Sequence, residues 1–335
     1  MPPLVTIAIP TYNRLNYLKE AVASALAQTY PQVEILISQN PSEDPKVTTA
    51  ISEWCESLGR QHPQVRYQQN RSNLGLAGNW NALADAAQGE YLTFVGDDDR
   101  LLPQFVETLV NSMQSDTLVA FANHYIINTL GDRLEAESYQ HTQRYRRDRI
   151  APGLVAHPQA WAWQNSIPIA AALMRTKDVQ RLRFREDSNT IDIELFIRLA
   201  QEKGSFIFSP AYLSEFRIHE QSTSGAGLRH ESVVPYLIAL PVSPEVEPYK
   251  RESISQGIVN AVSRCLLQGN REQANELLHS GYYPAATRNT PLGLLQNLCT
   301  TMPKAFGCNL YRLLHKTKNK VKAPKGNWPR ELQGT

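Results

Sequence analysis

Three consecutive aspartates, Asp97, Asp98 and Asp99, follow Gly96 at the end of the apolar run Tyr91 to Val95. Adjacent carboxylates repel, so the fold must leave them in water, set them at a helix N-terminus or supply a counter-charge. Two readings of GDDDRLLP are open. As a turn entering a helix, the aspartates act as caps and Pro103 sits in the first turn. As closely spaced carboxylates at a strand end, they suit Mg2+ or Mn2+, hard cations that share oxygen ligands with phosphates. Asp192 heads the stretch IDIELFIRL and reads as an acid at a helix N-terminus or as a proton acceptor. His219, in RIHEQSTS, is a satisfied structural histidine or a phosphate or metal contact. Asn73, Gly75 and Asn79 fit turn formation and helix capping.

The elements that must position these residues follow from hydrophobic spacing. Leu4 to Ile9 is a β-branched strand ended by Pro10, and Leu15, Leu18, Val22, Ala25 and Leu26 recur at helical intervals behind it. The unit repeats: strand 33–38 and a helix ending near Gly59, strand 65–68 and helix 76–87, strand 91–95 and the helix PQFVETLVNSMQ. Such alternation implies βαβ crossovers and a mostly parallel, Rossmann-like α/β sheet flanked by helices. TYNR, SQNPSED and GDDD all follow strands, so they project from the carboxyl edge, where such sheets bind ligands. Further strands are expected at 117–127 and 167–174. The polar, charged stretch 131–149 reads as a mobile loop over the site edge. Residues 191–204 read as an amphipathic helix with Ile193, Phe196, Ile197, Leu199 and Ala200 inward. Beyond a boundary near Gly227 the pattern becomes helical and proline-containing.

The 335 residues hold 34 Lys and Arg against 32 Asp and Glu, a balance that argues against general nucleic-acid binding. The four cysteines, Cys55, Cys265, Cys299 and Cys308, form no CxxC pair and suit a reducing compartment. The N-terminus lacks the features of a signal peptide, and no apolar run nears the roughly 18 residues of a membrane span. A cytoplasmic protein, peripheral at most to the inner membrane face, is expected.

PTYNR after the first strand, EILISQNPSED around the second, NRSNLGLAGNWNALADAAQGEYLTFVGDDDRLLP, then FREDSNTIDIELFIRL and FRIHEQSTS resemble, in order and spacing, the family 2 glycosyltransferases of the GT-A fold. The resemblance covers about Leu4 to Ser224. It implies an enzyme that moves a sugar from a nucleotide-diphosphate donor to an acceptor hydroxyl, with inversion and with Mg2+ or Mn2+. It places nucleotide binding on Pro10, Thr11, Tyr12, Asn13, Arg14, Gln39, Asn73, Gly75, Asn79 and Asp97. It places metal on Asp98, Asp99 and His219, and the catalytic base on Asp192. Glu194, two residues on, points elsewhere on a helix and is the second choice; Glu186 and Asp187 match less well. Gln39 stands where the family usually has an aspartate, so its amide would accept without charge assistance. Gly96 stands where the first metal-motif aspartate often sits. Trp161 and Trp163 suit the core better than a sugar-stacking platform.

The resulting division is a GT-A domain over 1–227, a helical C-terminal extension over 228–310 and a basic tail over 311–335. The tail, rich in Lys and Arg, is either solvated or attached to an anionic membrane, as a saccharide or lipid-linked acceptor in polysaccharide or glycolipid synthesis would suit. Two rivals are a non-catalytic nucleotide-sugar binder and a nucleotidyltransferase. The second would carry a Gly-rich phosphate loop after the first strand, and PTYNRLN has no glycine.

Overall fold

The computed structural model describes residues 2–187, 191–219 and 230–319. The chain divides into two compact units, Met1–Ser222 and Thr223–Thr335. The expected boundary at Gly227, the Ser/Thr/Gly-rich segment behind His219 and tail residues 320–335 lie outside the described residues.

The first unit is built in chain order from β1 (Val5–Thr11), α1 (Leu15–Leu26), β2 (Val33–Gln39), α2 (Pro45–Gln61), β3 (Val65–Gln69), α3 (Gly75–Ala86), β4 (Tyr91–Phe94) and β5 (Arg100–Leu101). It continues with α4 (Phe105–Ser112), β6 (Thr117–Ile127), β7 (Arg133–Leu134), α5 (Glu135–Arg144), β8 (Gly153–Leu154), α6 (Pro158–Trp163), β9 (Ala172–Arg175), α7 (Thr176–Leu182), α8 (Ile191–Gln201) and β10 (Ser205–Arg217). One sheet runs β3-β2-β1-β4-β9-β6-β10-β5, with β7 on β6 and β8 on β10. β3, β2, β1 and β4 are mutually parallel, as are β6 and β10, and β9 is antiparallel to both its neighbours. Val5, Ile7, Ile9, Ile35 and Ile37 are fully buried, the near-continuous apolar character of strands covered on both faces. The parallel register, Thr11 beside Gln39 and Ala8 beside Phe94, brings TYNR, SQN and GDDD to one edge.

Three local expectations are corrected. The stretch 131–149 is not a loop: it contains β7, α5 and a 3-10 turn at Arg147–Arg149. Its inward side chains are polar, so hydrophobic periodicity could not report the helix. Ser138 donates to Leu134 O at 2.6 Å and accepts from Ile126 N at 2.8 Å, and Thr142 meets the Tyr212 hydroxyl at 2.9 Å. The strand expected over 167–174 begins only at Ala172, after a 3-10 turn at Ile169–Ala171. The helix expected from Pro103 starts at Phe105, and β5 separates it from the aspartates. They therefore do not cap that helix. In α8, Phe196, Ile197, Leu199 and Ala200 are buried as expected; Leu195 joins them, whereas Ile193 is only half-buried.

The second unit contains α9 (His230–Ala239), α10 (Glu247–Gln268), α11 (Arg271–His279), α12 (Ala285–Arg288), α13 (Pro291–Thr301) and α14 (Lys304–Asn319). Ile254, Ile258, Ala261, Val262, Cys265 and Leu266 line the inner side of α10. Gly269 ends that helix at φ 87°, a left-handed cap that a Cβ would strain. All four cysteines are free and buried, the inert setting for a thiol. Among the described residues, no helix is long and apolar enough to cross a membrane.

Candidate functional site

The carboxyl ends of β1, β4 and β10 meet in one charged cluster. β1 hands over to Tyr12 and to Asn13, which takes φ 66°, a left-handed conformation that asparagine tolerates comparatively well. The next residue, Arg14, spans two aspartates. Its Nη2 lies 2.5 Å from Asp97 Oδ1 and its Nη1 2.6 Å from Asp98 Oδ2. Asp97, 1% exposed, also accepts from Thr11 Oγ1 at 2.8 Å and from the Tyr12 amide at 3.2 Å. From the end of β10, His219 Nε2 reaches Asp98 Oδ2 at 2.8 Å and lies 3.3 Å from Arg14 Nη1. Asp99 faces elsewhere, accepting from the Arg217 amide at 2.9 Å. The counter-charge that three adjacent carboxylates require is built in.

Arg217 is the residue that sequence reasoning passed over. Its side chain is fully buried and pins the turn, donating to Asp98 O at 2.8 Å, to Glu20 Oε2 at 2.6 Å and to the carbonyls of Asn128 and Thr129 at 3.1 Å. The signal was present, since Arg217 stands two residues before His219 with the period of a strand, but an arginine in an apolar run is easily read as exposed.

Gly96 has a steric reason. A Cβ there would lie 2.7 Å from Asp98 Oδ1 and 2.9 Å from Asp99 Oδ2, inside normal contact. The turn that closes with Asp99 N donating to Gly96 O at 3.0 Å folds the two later carboxylates over this position. A side chain at 96 would have to displace those two carboxylates. Gly96→Ala is expected to destabilise the first unit by about 1–3 kcal/mol, read as a lower urea midpoint with unchanged slope; an unaltered midpoint would contradict this packing.

The environment pushes the three carboxyls apart. Burial moves Asp97 up to about 6 against the pull of Arg14. Burial and the Asp98 charge move Asp99 well above the usual range. Burial would raise Asp98 too, but the His219 hydrogen bond and the Arg14 charge hold it below its ordinary value. Asp98 is thus the member of the three that stays ionised most readily.

The residues of β2 and α3 have structural partners. Gln39 is fully buried; its amide donates to Thr48 O at 3.1 Å and accepts from the Tyr67 hydroxyl. Asn73 Oδ1 accepts from Gly75 N at 2.9 Å, and Gly75 has φ 71°, a local turn at the head of α3. Asn79 Nδ2 donates to Ser38 O at 3.0 Å and its Oδ1 accepts from Asn70. These bonds tie α3 to the end of β2. Asn40, not singled out in the sequence, completes the tie by donating to Gly75 O and accepting from Leu74 N and Asn70.

Asp192 occupies the first turn of α8, where burial raises its carboxyl above the usual range and the backbone amides of Asp192 and Ile193 oppose that rise. Its neighbours are committed elsewhere. Glu194 is buried, receives Arg198 Nε at 2.9 Å and the Arg185 amide at 3.1 Å, and so braces α8. Asp187 pairs with Arg185, and Glu186 accepts from Asn81 at 3.4 Å. Trp163 is a core residue at 1% exposure, and Trp161 donates to Ala156 O.

Among the described residues, no three His, Cys, Asp or Glu groups converge as a ready metal cage. Asp98 and His219 do converge, and Mg2+ or Mn2+ ordinarily takes one or two protein ligands plus phosphate and water. The donor set therefore fits such an ion, with the Arg14 guanidinium as its competitor.

Known proteins agree with this architecture. The Glycosyl transferase family 2 sequence model matches residues 6–167. An uncharacterized glycosyltransferase of Rickettsia typhi is 25% identical over 231 residues, 68% of this chain and 67% of that protein. Among solved structures, S. aureus TarS 1-349 in complex with UDP-GlcNAc is similar with a TM-score of 0.60 at 14% identity, over 96% of this chain and 93% of the other. The mannosyltransferase PcManGT from Pyrobaculum calidifontis, in complex with GDP-Man and Mn2+, gives 0.55 at 17% identity, over 94% and 88%. The two structures, at such identities, speak for the fold alone. Over residues 6–167 the chain is thus similar to the family 2 glycosyltransferases, and its fold is the GT-A fold of the solved glycosyltransferase structures. Asp192 and His219 lie beyond the matched segment.

Proposed function

We propose that the enzyme transfers a sugar from a nucleotide-diphosphate donor to an acceptor hydroxyl with inversion at the anomeric carbon. The observation that carries this reading is the junction of Arg14, Asp97, Asp98 and His219, three separate chain segments bonded into one cluster at the carboxyl edge of the sheet. Tyr12, Asn13 and Arg14 take the nucleotide and its phosphates, with Pro10 and Thr11 setting the turn beneath them and Asp97 anchoring it. Gln39, Asn73, Gly75 and Asn79 shape the β2 and α3 side of the same pocket.

Asp98 and His219 are the residues that would hold Mg2+ or Mn2+, with Asp99 behind them. A bound ion would supply positive charge to the diphosphate. Asp192 takes the proton of the acceptor hydroxyl as that oxygen bonds to the anomeric carbon. The bond from that carbon to the diphosphate oxygen breaks on the opposite face, and the nucleoside diphosphate leaves with the electron pair. Arg14 is placed to balance the charge that leaves with it. We assign this chemistry to the unit ending near Gly227, and the region behind it to a helical extension. The acceptor is a saccharide or a lipid-linked glycan in polysaccharide or glycolipid assembly, met at the cytoplasmic membrane face, to which the basic C-terminal segment brings the enzyme.

A panel of nucleotide sugars tests the proposal. One donor is expected to raise the melting temperature and to release its nucleoside diphosphate when acceptor is added, both more strongly with Mn2+. Asp98→Ala should remove the Mn2+ increment. Stabilisation without release across donors and acceptors would favour a non-catalytic nucleotide-sugar binder, and an unchanged Mn2+ increment would reject the metal assignment.

A further inference from the structure

Helix α1 turns a polar face toward the charged cluster. Tyr17, Glu20 and Ser24 follow Arg14 at helical spacing, while Leu18, Ala21, Val22 and Ala25 form the buried side. The polar face grips the chain around the aspartates: Ser24 Oγ accepts from Leu101 N at 3.1 Å, and Glu20 Oε2, already bound to Arg217, takes Arg100 Nη1 at 3.5 Å. Tyr17 contributes its ring. The Arg217 guanidinium carbon lies 4.6 Å from the Tyr17 ring centroid, and the His219 imidazole centroid lies 5.4 Å from it, with the two ring planes at 36°. Arg217 and His219 are two residues apart along an extended path, so both side chains can face α1 and meet one aromatic ring.

The two contacts do different work. Arg217 is held by Glu20 and by the carbonyls of Asp98, Asn128 and Thr129, so its cation–π contact fixes the Tyr17 ring in place. His219 stands just past the end of β10, where Ile218 N still donates to Ile127 O at 3.0 Å, and its Nε2 reaches Asp98 Oδ2 at 2.8 Å. That nitrogen cannot donate to Asp98 and ligate a cation at once, because both uses draw on the same ring position. The hydrogen bond is therefore given up on ligation. The packing of the imidazole against Tyr17 does not draw on Nε2, so it is kept. Histidine ligands depend on such neighbours, which touch the ring and not the ion, to hold their aim.

We propose that Tyr17 is a positioning residue for His219: its ring, fixed on Arg217, holds the imidazole with Nε2 toward Asp98, so that the pair is set for Mg2+ or Mn2+ in advance. This role rests on the reading of Asp98 and His219 as the seat of the cation. It belongs to the aromatic ring of Tyr17, which makes both contacts, and not to the phenol hydroxyl.

Mn2+ binding to the full chain, followed by electron paramagnetic resonance, tests it without reference to turnover. Titration of the free-ion signal should show an affinity about tenfold weaker in Tyr17→Leu, and within about twofold of native in Tyr17→Phe, which keeps the ring. The pulsed spectrum of the bound ion should carry nitrogen modulation from one imidazole in the native chain and in Tyr17→Phe. That modulation should be absent in His219→Gln and diminished in Tyr17→Leu. Tyr17→Met serves in place of the leucine variant if melting shows that the latter does not fold. A native chain that binds no Mn2+, or binds it without nitrogen modulation, rejects His219 as a ligand and the role of Tyr17 with it. Native binding with affinity and modulation unaltered in Tyr17→Leu, or lost equally in Tyr17→Phe, rejects the role of the Tyr17 ring and leaves the cation seat standing.

Discussion

Asp192→Asn is expected to lower kcat by about a hundred- to ten-thousand-fold while leaving the affinity for the nucleotide-sugar donor within about twofold. The substitution keeps the shape and the hydrogen-bonding capacity of the side chain and removes only its ability to hold a proton. Donor binding, assigned to the β1, β4 and β10 cluster, does not draw on that ability. The sign of the pH dependence follows from burial, which raises the Asp192 carboxyl above the usual aspartate range. A base must be ionised to act, so kcat/KM of the native enzyme should rise with pH through a midpoint above that range, and this limb should vanish in the variant. Glu194→Gln should behave differently, because Glu194 holds Arg198 and the Arg185 amide: the expected loss is in stability, with the pH limb retained. Native turnover in Asp192→Asn would remove the residue from the mechanism.

The sheet was legible because its strands are buried on both faces and carry continuous apolar runs, Val5 to Ile9 and Ile35 to Ile37 among them, bounded by polar turns. Topology followed from alternation with helices, and with it the shared edge of TYNR, SQN and GDDD. What stayed hidden was held by polar side chains facing inward. Helix α5 packs through Ser138 and Thr142, which hydropathy scores as surface. Arg217 is buried because backbone carbonyls and Glu20 satisfy its guanidinium, and no spacing rule announces such partners. The site divides in the same way. The aspartates, Arg14 and His219 could each be named from type and position, but their pairing depends on contacts spanning more than eighty residues, which only the fold supplies.

Arg14 is where that pairing has its largest consequence for stability. Its guanidinium sits between a carboxylate that is 1% exposed and a second that stays ionised beside His219. Replacing it with methionine keeps the stem and removes the charge, so the two carboxylates face each other with no guanidinium between them. Breaking a buried ion pair from one side costs about 3–5 kcal/mol, since the remaining charge loses its compensation. Arg14→Met should therefore lower the stability of the first unit by about that much at neutral pH in chelator, measured by urea denaturation. Arg14→Lys should fall between, because an ammonium keeps the charge but cannot span both carboxylates as a planar fork. If Asp98 and His219 can also accept a divalent cation, Mn2+ should restore the methionine variant more than it stabilises the native protein, in which guanidinium and ion compete for Asp98. Equal Mn2+ increments in the two proteins would separate the cation from this cluster. Unchanged stability in chelator would show that solvent, and not Arg14, balances Asp97 and Asp98. The same variant also separates two sources of charge for the departing diphosphate. If turnover of the native enzyme persists in chelator and Arg14→Met abolishes it, the guanidinium alone carries that duty. If chelator stops the native enzyme, Arg14 is the counter-charge that keeps the carboxylates folded until an ion replaces it.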